Sequence, residues 1–269
     1  MEIVVCIKQV PDVPTVRMDR ERMTIIREGV ESVINPLDYV AMEAALELRQ
    51  KVGGQVRVIT MGPPQSEVAL REALAVGADR AILLTDPAFA GADTLATSHV
   101  LARAIERLDP FPDMVLCGMQ TTDSDTGHIG PQIAEELGLP QVCGVNEIHV
   151  EGKDLVVKRL SDGFLDTIRV ALPTLLTVTK GLCPVRDLPL GALEAAFSTK
   201  DVLRWSIDDL DLRKDEVGFE GSATRVRRLR IPLPRGNGEV VEGSPETLVN
   251  HLLRRLEALS ILDEEDGKE

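Results

Sequence analysis

The densest group of side chains able to do chemistry is the run Gly118-Met119-Gln120-Thr121-Thr122-Asp123-Ser124-Asp125-Thr126-Gly127-His128-Ile129-Gly130-Pro131. Four hydroxyls and two carboxylates there lead into a helix expected to start near His128. A helix entered through glycines exposes backbone N–H groups to an anion, which is how phosphates are usually held. An ordinary loop capped by Thr and Asp has the same composition, and pattern alone leaves both readings open. Three further loops lie at the ends of strand-like runs: Lys8-Gln9-Val10-Pro11-Asp12, Gly62-Pro63-Pro64 and Asp86-Pro87. No GxGxxG follows the first strand and no GxxxxGK[ST] occurs, so neither a standard dinucleotide fingerprint nor a P-loop is present. The four cysteines (Cys6, Cys117, Cys143, Cys183) never form a CxxC pair, and the four histidines lack HExxH spacing. Neither zinc site, nor disulfide framework, nor any metal is expected.

These loops need elements to position them, and the first half of the chain supplies a βαβ series. IVVCI (3–7), VRVITM (56–61), AILLT (81–85) and MVLCGM (114–119) are short and apolar on both faces, as buried parallel strands are. Between them, Val40, Ala44 and Leu48 repeat at helical spacing after Asn35-Pro36. A second helix runs from about Gln65 to Gly77, with Leu70, Ala73 and Leu74 on one face; a third begins near Asp93, using Leu95, Leu101 and Ile105. The expected fold is α/β: a parallel sheet with helices on both faces, Rossmann-like, binding its ligand at the carboxyl ends of the strands. Near residue 145 the period changes to 2, predicting a hairpin around Glu151-Gly152-Lys153, a turn at Asp162-Gly163 and an antiparallel extension of the same sheet. From residue 182 the core pattern fades until Ser244-Pro245, where Leu248, Leu252, Leu256 and Leu259 line one helical stripe. The expected division is an α/β nucleotide-binding domain over 1–181, then a docking loop, extended arm and C-terminal helix over 182–269, ending in the acidic tail DEEDGKE.

Composition narrows the function classes. Thirty Lys+Arg against 44 Asp+Glu give a formal net charge of −14, and only 3% of residues are aromatic. Both argue against nucleic acid, which needs basic surface and stacking rings. No run approaches the ~18 apolar residues of a membrane span. The N-terminus lacks a basic n-region and a cleavage site, so a cytoplasmic protein without membrane insertion is expected.

Several separated segments, in order, resemble the beta subunit of electron-transfer flavoprotein. They are MEIVVCIKQVPD at the start, INP at 34–36, ITMGPP at 59–64, REALAVGADRAILLTD at 71–86, ADTLATS at 92–98 and GMQTTDSDTGHIGPQIAEELGLPQV at 118–142. DGFLDTIRVALPTLLTVTK at 162–180 and GFEGSATRVRRLRIP at 218–232 extend the likeness over nearly the whole chain. The resemblance implies a heterodimer whose alpha subunit carries a flavin. The beta subunit would add an adenine-nucleotide site and a docking loop for a redox partner dehydrogenase, with further subunits in some assemblies. Most members of the family hold AMP as a structural ligand and pass electrons from dehydrogenases to a quinone reductase. Electron-bifurcating members hold a second FAD and take a hydride from NADH, and the opening segment, the TDSDTGHIGP loop and the GSAT segment are more similar to that subset.

Carried over residue by residue, the resemblance puts nucleotide contacts on Cys6, Lys8, Val10, Asn35, Met61, Gly62, Gly118, Gln120, Asp123, Ser124, Asp125, Thr126, Gly127, His128, Ile129 and Gly130. Cys6 and Met61 would pack an adenine, Asn35 would read its edge, and the 123–130 loop would cradle the phosphates. Asp123 and Asp125 suit loop N–H groups or ribose hydroxyls better than phosphate. Ser222 and Thr224, ahead of the basic run Arg225, Arg227, Arg228 and Arg230, are expected to contribute to a flavin phosphate site. Leu188 in RDLPLG matches the family's partner-docking leucine, although the lysines that usually follow are missing, which predicts a poor fit to conventional acyl-CoA dehydrogenases. His128 stands where glutamine is usual. Two rival classes remain: a nucleotide-binding sensor of the stress-protein type, which leaves the segment after 182 unexplained, and an adenine-nucleotide hydrolase or ligase with Mg²⁺ on Asp123 or Asp125, which lacks a nearby P-loop.

Overall fold

The computed structural model describes residues 1–12, 17–19, 24–26, 32–199, 201–227, 238 and 240–261. Arg228 and Arg230 of the basic run, and the DEEDGKE tail, lie outside the described residues. The chain divides into two compact units, Met1–Val226 and Arg227–Glu269.

The first unit is built on a nine-stranded sheet. In chain order its strands are β1 (Glu2–Cys6), β6 (Gln55–Met61), β7 (Arg80–Leu84), β8 (Met114–Gly118), β9 (Gln141–Glu151), β10 (Asp154–Ser161), β11 (Phe164–Ala171), β12 (Thr174–Val178) and β13 (Val202–Trp205). Two short antiparallel pairs precede β6: β2 (Gln9–Pro11) with β5 (Ser32–Ile34), and β3 (Arg17–Asp19) with β4 (Thr24–Ile26). The order across the sheet is β11-β10-β9-β12-β8-β1-β6-β7-β13. Neighbours from β9 to β13 run parallel, while β9-β10 and β10-β11 are antiparallel. The expected antiparallel extension is therefore present and continuous with the parallel sheet.

Alternation along the central strands sorts side chains between two cores. Ile3, Val5, Leu116 and Leu83 join the core under α1 (Pro36–Val52) and α2 (Glu67–Val76). Val4, Cys6, Cys117, Ile82 and Leu84 join the one under α3 (Thr94–Glu106) and α4 (Ile129–Leu137). Strands apolar on both faces require this double cover. Helix boundaries follow local chemistry. Pro36 occupies the first turn of α1, Gly77 ends α2 at φ 132°, and the Asp93 side chain accepts from the Ala96 amide to start α3. Leu95, expected on the apolar face of α3, is instead 47% exposed, one residue into that helix.

The boundary expected after residue 181 differs from the structural one, because residues 182–226 belong to the first unit. α5 (Leu190–Thr199) buries Ala196, whose carbonyl accepts from Arg71 of α2 at 2.9 Å. β13 then adds to the sheet edge beside β7, in register Val202 with Ala81, and Ile207, Leu210 and Val217 fill the second core. A four-residue edge strand that is half-exposed leaves no visible alternation in the sequence. α6 (Gly218–Gly221) closes this region. The second unit contains α7 (Pro245–Ala258), capped by Ser244 through the Thr247 amide, with Leu248, Val249, Leu252 and Leu253 exposed.

Candidate nucleotide site

β1 is flanked by β8 on one side and β6 on the other, so successive strands leave it in opposite directions and a topological switch point lies between β1 and β8. Open α/β sheets bind ligands in the crevice outside the strand carboxyl ends at such a point. The segments arriving there are Lys8, just past β1, and the loop 118–128 that leaves β8 for α4. Cys6 and Cys117, paired in register and both buried, form the floor. Hydrogen bonding to Cys6, together with burial, pushes the Cys117 thiol well above its ordinary value.

The walls are joined by Asn35 and Asp38 at the start of α1. Asp38 accepts from the Lys8 amide at 2.7 Å and the Gly118 amide at 3.1 Å. Asn35 donates to the Gln120 carbonyl at 2.9 Å and accepts from the Thr122 amide at 3.2 Å. A Cβ on Gly118 would sit 2.3 Å from Asp38 Oδ1, so the glycine is required for this approach. Burial drives the Asp38 carboxyl up to about 7, against the lowering effect of Asn35, the two amides and the Lys8 charge.

The loop itself folds around Asp123. That carboxylate receives Lys8 Nζ at 2.9 and 2.7 Å and the hydroxyls of Thr121 and Ser124 at 2.8 and 3.2 Å. Burial works to raise Asp123, but these donors outweigh it and hold the carboxyl below its usual range. Its partners within the chain are hydroxyls and an ammonium, whereas the sequence expectation is loop N–H groups or ribose hydroxyls. Asp125 is left-handed at φ 53°, with its amide on the Thr121 carbonyl at 2.9 Å. Gly127, at φ 65°, has only the Met119 carbonyl, 3.5 Å away, near the place of a Cβ. His128 is the N-cap of α4 and makes no side-chain capping bond. First-turn amides of such a helix lack intrahelical acceptors and favour an anion. Gly130 lets α4 close on β12, since a Cβ there would lie 2.4 Å from Thr177 Cγ2.

The structure thus brings Lys8, Gly118, Gln120 and Asp123 together through shared bonds, with residues 124–130 following in the same loop and the start of α4; Thr122, Asp123, Ser124, Asp125, Thr126 and His128 are exposed, and Gly130 is buried. Val10 and Asn35 are 1% and 0% exposed, and Asn35 is engaged with loop backbone. Met61 and Gly62 are half-buried at the end of β6, and the bare Gly62 admits Ser66, whose Oγ would lie 2.4 Å from a Cβ. Ser222 and Thr224 bond to the start of α3: Ser222 Oγ accepts from the Asp93 amide and donates to the Gly218 carbonyl, and the Thr224 amide and hydroxyl both donate to Asp93. Burial works to raise Asp93, yet these bonds hold it below the usual carboxylate range. Leu188 is half-buried against the first core, whereas Leu190, at the first position of α5, is 84% exposed. Asp38 and Asp93 are the functional-looking residues that sequence reading missed. An Asp-bearing first helical turn was the available signal for Asp38.

Among the described residues no group of three or more His, Cys, Asp or Glu suits a metal ion, and no helix is long and apolar enough to cross a membrane. A shallow concavity of about 200 Å³ lined by Ala44, Leu48, Lys51, Glu147 and Leu182 brings together none of the strand-end loops.

Known proteins are similar to this chain over most of its length. Residues 22–210 match the electron transfer flavoprotein domain. An electron transfer flavoprotein subunit beta of Thermoanaerobacterium thermosaccharolyticum is 48% identical over 97% of this chain and 100% of its own. Protein FixA of Azorhizobium caulinodans is 43% identical over 92% of this chain and 90% of its own. The caffeyl-CoA reductase-Etf complex subunit CarD of Acetobacterium woodii is 43% identical over 91% of this chain and 93% of its own. With its parallel sheet, strand-end crevice and these full-length similarities, the chain belongs to the electron-transfer flavoprotein family as a beta subunit.

Proposed function

We propose that this subunit pairs with an alpha subunit carrying a flavin, holds FAD in its own strand-end crevice, and takes electrons from NADH for onward transfer, as in electron bifurcation. The observation that carries this reading is the crevice at the β1/β8 switch point, where Lys8, the open Gly127 and the uncapped start of α4 converge. These groups fit a phosphate chain: one ammonium, a glycine with free space, and amides that no side chain caps. Bound there, FAD would supply the hydride-accepting chemistry, and the chain's own groups bind, orient and exclude water. The Lys8 ammonium neutralises Asp123, which otherwise faces the same crevice. A CarD-like relative named as part of a CoA-reductase complex supports an assembly larger than a heterodimer.

AMP is the second reading, and one observation favours it: Ser222 and Thr224, expected from sequence to meet a further phosphate, spend hydrogen bonds on Asp93 and the neighbouring backbone. Counting flavin per purified heterodimer after reconstitution with excess FAD separates the two. Two flavins support the FAD reading; one flavin with one AMP makes this chain a conventional electron-transfer subunit.

A further inference from the structure

Thr177 of β12 is 1% exposed, and the two branches of its side chain face different elements. Opposite it, β9 carries an extra residue: Leu176 pairs with Val142 and Val178 with Val145, so Cys143 and Gly144 together face Thr177. Gly144 takes the left-handed conformation, φ 75°, that such a bulge can require. Its buried amide donates to Thr177 Oγ1 at 3.1 Å. Because a β-branched side chain is stiff at χ1, the bond that holds the hydroxyl also fixes the methyl. That methyl is the nearest obstacle above the sheet at Gly130. A Cβ on Gly130 would lie 2.4 Å from Thr177 Cγ2, against 3.4 Å from Leu175 Cδ2 and 3.8 Å from Cys117 Cβ. Gly130 is the second residue of α4, directly after the start whose N-cap, His128, makes no side-chain capping bond.

We propose that Thr177 is a positioning residue for the nucleotide crevice. Its hydroxyl is committed to the β9 bulge, its methyl is a fixed stop on which Gly130 seats the first turn of α4, and this seat sets where the opening amides of α4 meet the ligand. The inference rests on the nucleotide reading above and adds to it a residue of the sheet that acts through α4. Threonine supplies both functions at once. Valine would keep the stop and leave a buried amide without its acceptor, whereas serine would keep the acceptor and remove the stop. Amides at a helix start have no acceptor inside the helix, so a small displacement of the first turn moves the donors a phosphate would use.

The test uses the full-length chain in complex with its alpha subunit, with AMP and FAD as the titrated probes. Gly130→Ala should weaken binding at the beta site roughly tenfold, the scale of an overpacked contact that shifts backbone, with the alpha-subunit flavin spectrum intact. Adding Thr177→Ser removes the obstructing methyl and keeps the acceptor for Gly144. Affinity should then return to within about threefold of the unaltered protein, the mark of two side chains coupled by direct contact. A pair that only supports the fold would lose and regain thermal stability with affinity constant throughout. An alanine methyl that struck the ligand itself would leave the double variant as weak as the single one. Either result overturns the proposal. Should Gly130→Ala alone fail to fold, the double variant decides: it must fold and bind within the same margin, and failure in either respect counts against the seat. An unaltered complex that binds neither AMP nor FAD would defeat the nucleotide reading instead. Hydrogen exchange in the first two turns of α4 would still judge the seat, since it should be faster in Gly130→Ala and restored in the double variant; exchange left unrestored overturns it.

Discussion

Lys8 performs two tasks that belong to different partners: its amide serves the buried Asp38, and its ammonium serves the exposed Asp123. Only the second is open to a ligand. Lys8→Met should leave folding nearly unchanged, because an ion pair this accessible contributes little, about 0–1 kcal/mol. Isothermal titration should nevertheless show roughly tenfold weaker nucleotide binding, the order expected for one charge-assisted contact. Gly118 is a contrasting case. Gly118→Ala forces a methyl against Asp38 and the start of α1, and should cost about 1–3 kcal/mol in denaturant unfolding, the range for overpacking. The 118–131 run stands out in the sequence because hydroxyls, carboxylates and glycines cluster within one short stretch. Asp38 was not, because its partners Lys8 and Gly118 lie 30 and 80 positions away and an aspartate in a first helical turn is commonplace.

At the scale of elements, α1 joins two regions. Its first turn carries Asp38, and further along it the buried Glu43 accepts Arg186 Nε at 2.8 Å on both oxygens, anchoring the 182–188 segment. That anchoring places Leu188 against the core and leaves Leu190 exposed at the head of α5. Leu188→Ala should therefore destabilise the fold by about 1–2 kcal/mol, less than a fully buried leucine would. Leu190→Ala should leave the melting temperature unchanged while slowing electron transfer to the redox partner. The opposite pattern, with Leu190 silent in transfer and Leu188 not, would return the docking role to the residue chosen by resemblance. The start of α3 gives a further test. Asp93→Ala removes the helix cap and the bonds that hold Thr224, and should cost about 0.5–2 kcal/mol at neutral pH. Because the Asp93 carboxyl is held below its ordinary value, its stabilisation is present above that value and is lost as pH falls through the lowered one, so the difference between the two proteins should shrink in acid. The central strands were legible as short continuous apolar runs, the first three helices as apolar repeats at helical spacing, and α4 only by its start near His128. β13 was hidden: four residues on a sheet edge, half-exposed, carry no period to read.

For the whole molecule, the first unit has two cores on either side of an open nine-stranded sheet, whereas α7 in the second presents Leu248, Val249, Leu252 and Leu253 to solvent. Exposed apolar stripes of this kind mark interaction surfaces. Expressed without an alpha subunit, the chain should bind a hydrophobic dye strongly or precipitate despite its charge of −14, and co-expression should suppress both effects. A monodisperse, dye-silent chain with no affinity for an alpha subunit would remove that role. The central claim is that the β1/β8 crevice of this subunit holds a nucleotide of its own, and flavin content of the heterodimer carrying Lys8→Met tests it most directly. From a parent with two flavins, the variant should bind the beta-side flavin roughly tenfold more weakly on titration, with the alpha-subunit flavin spectrum intact. Retention of both at full affinity, or loss of both together, would place the nucleotide somewhere other than this crevice.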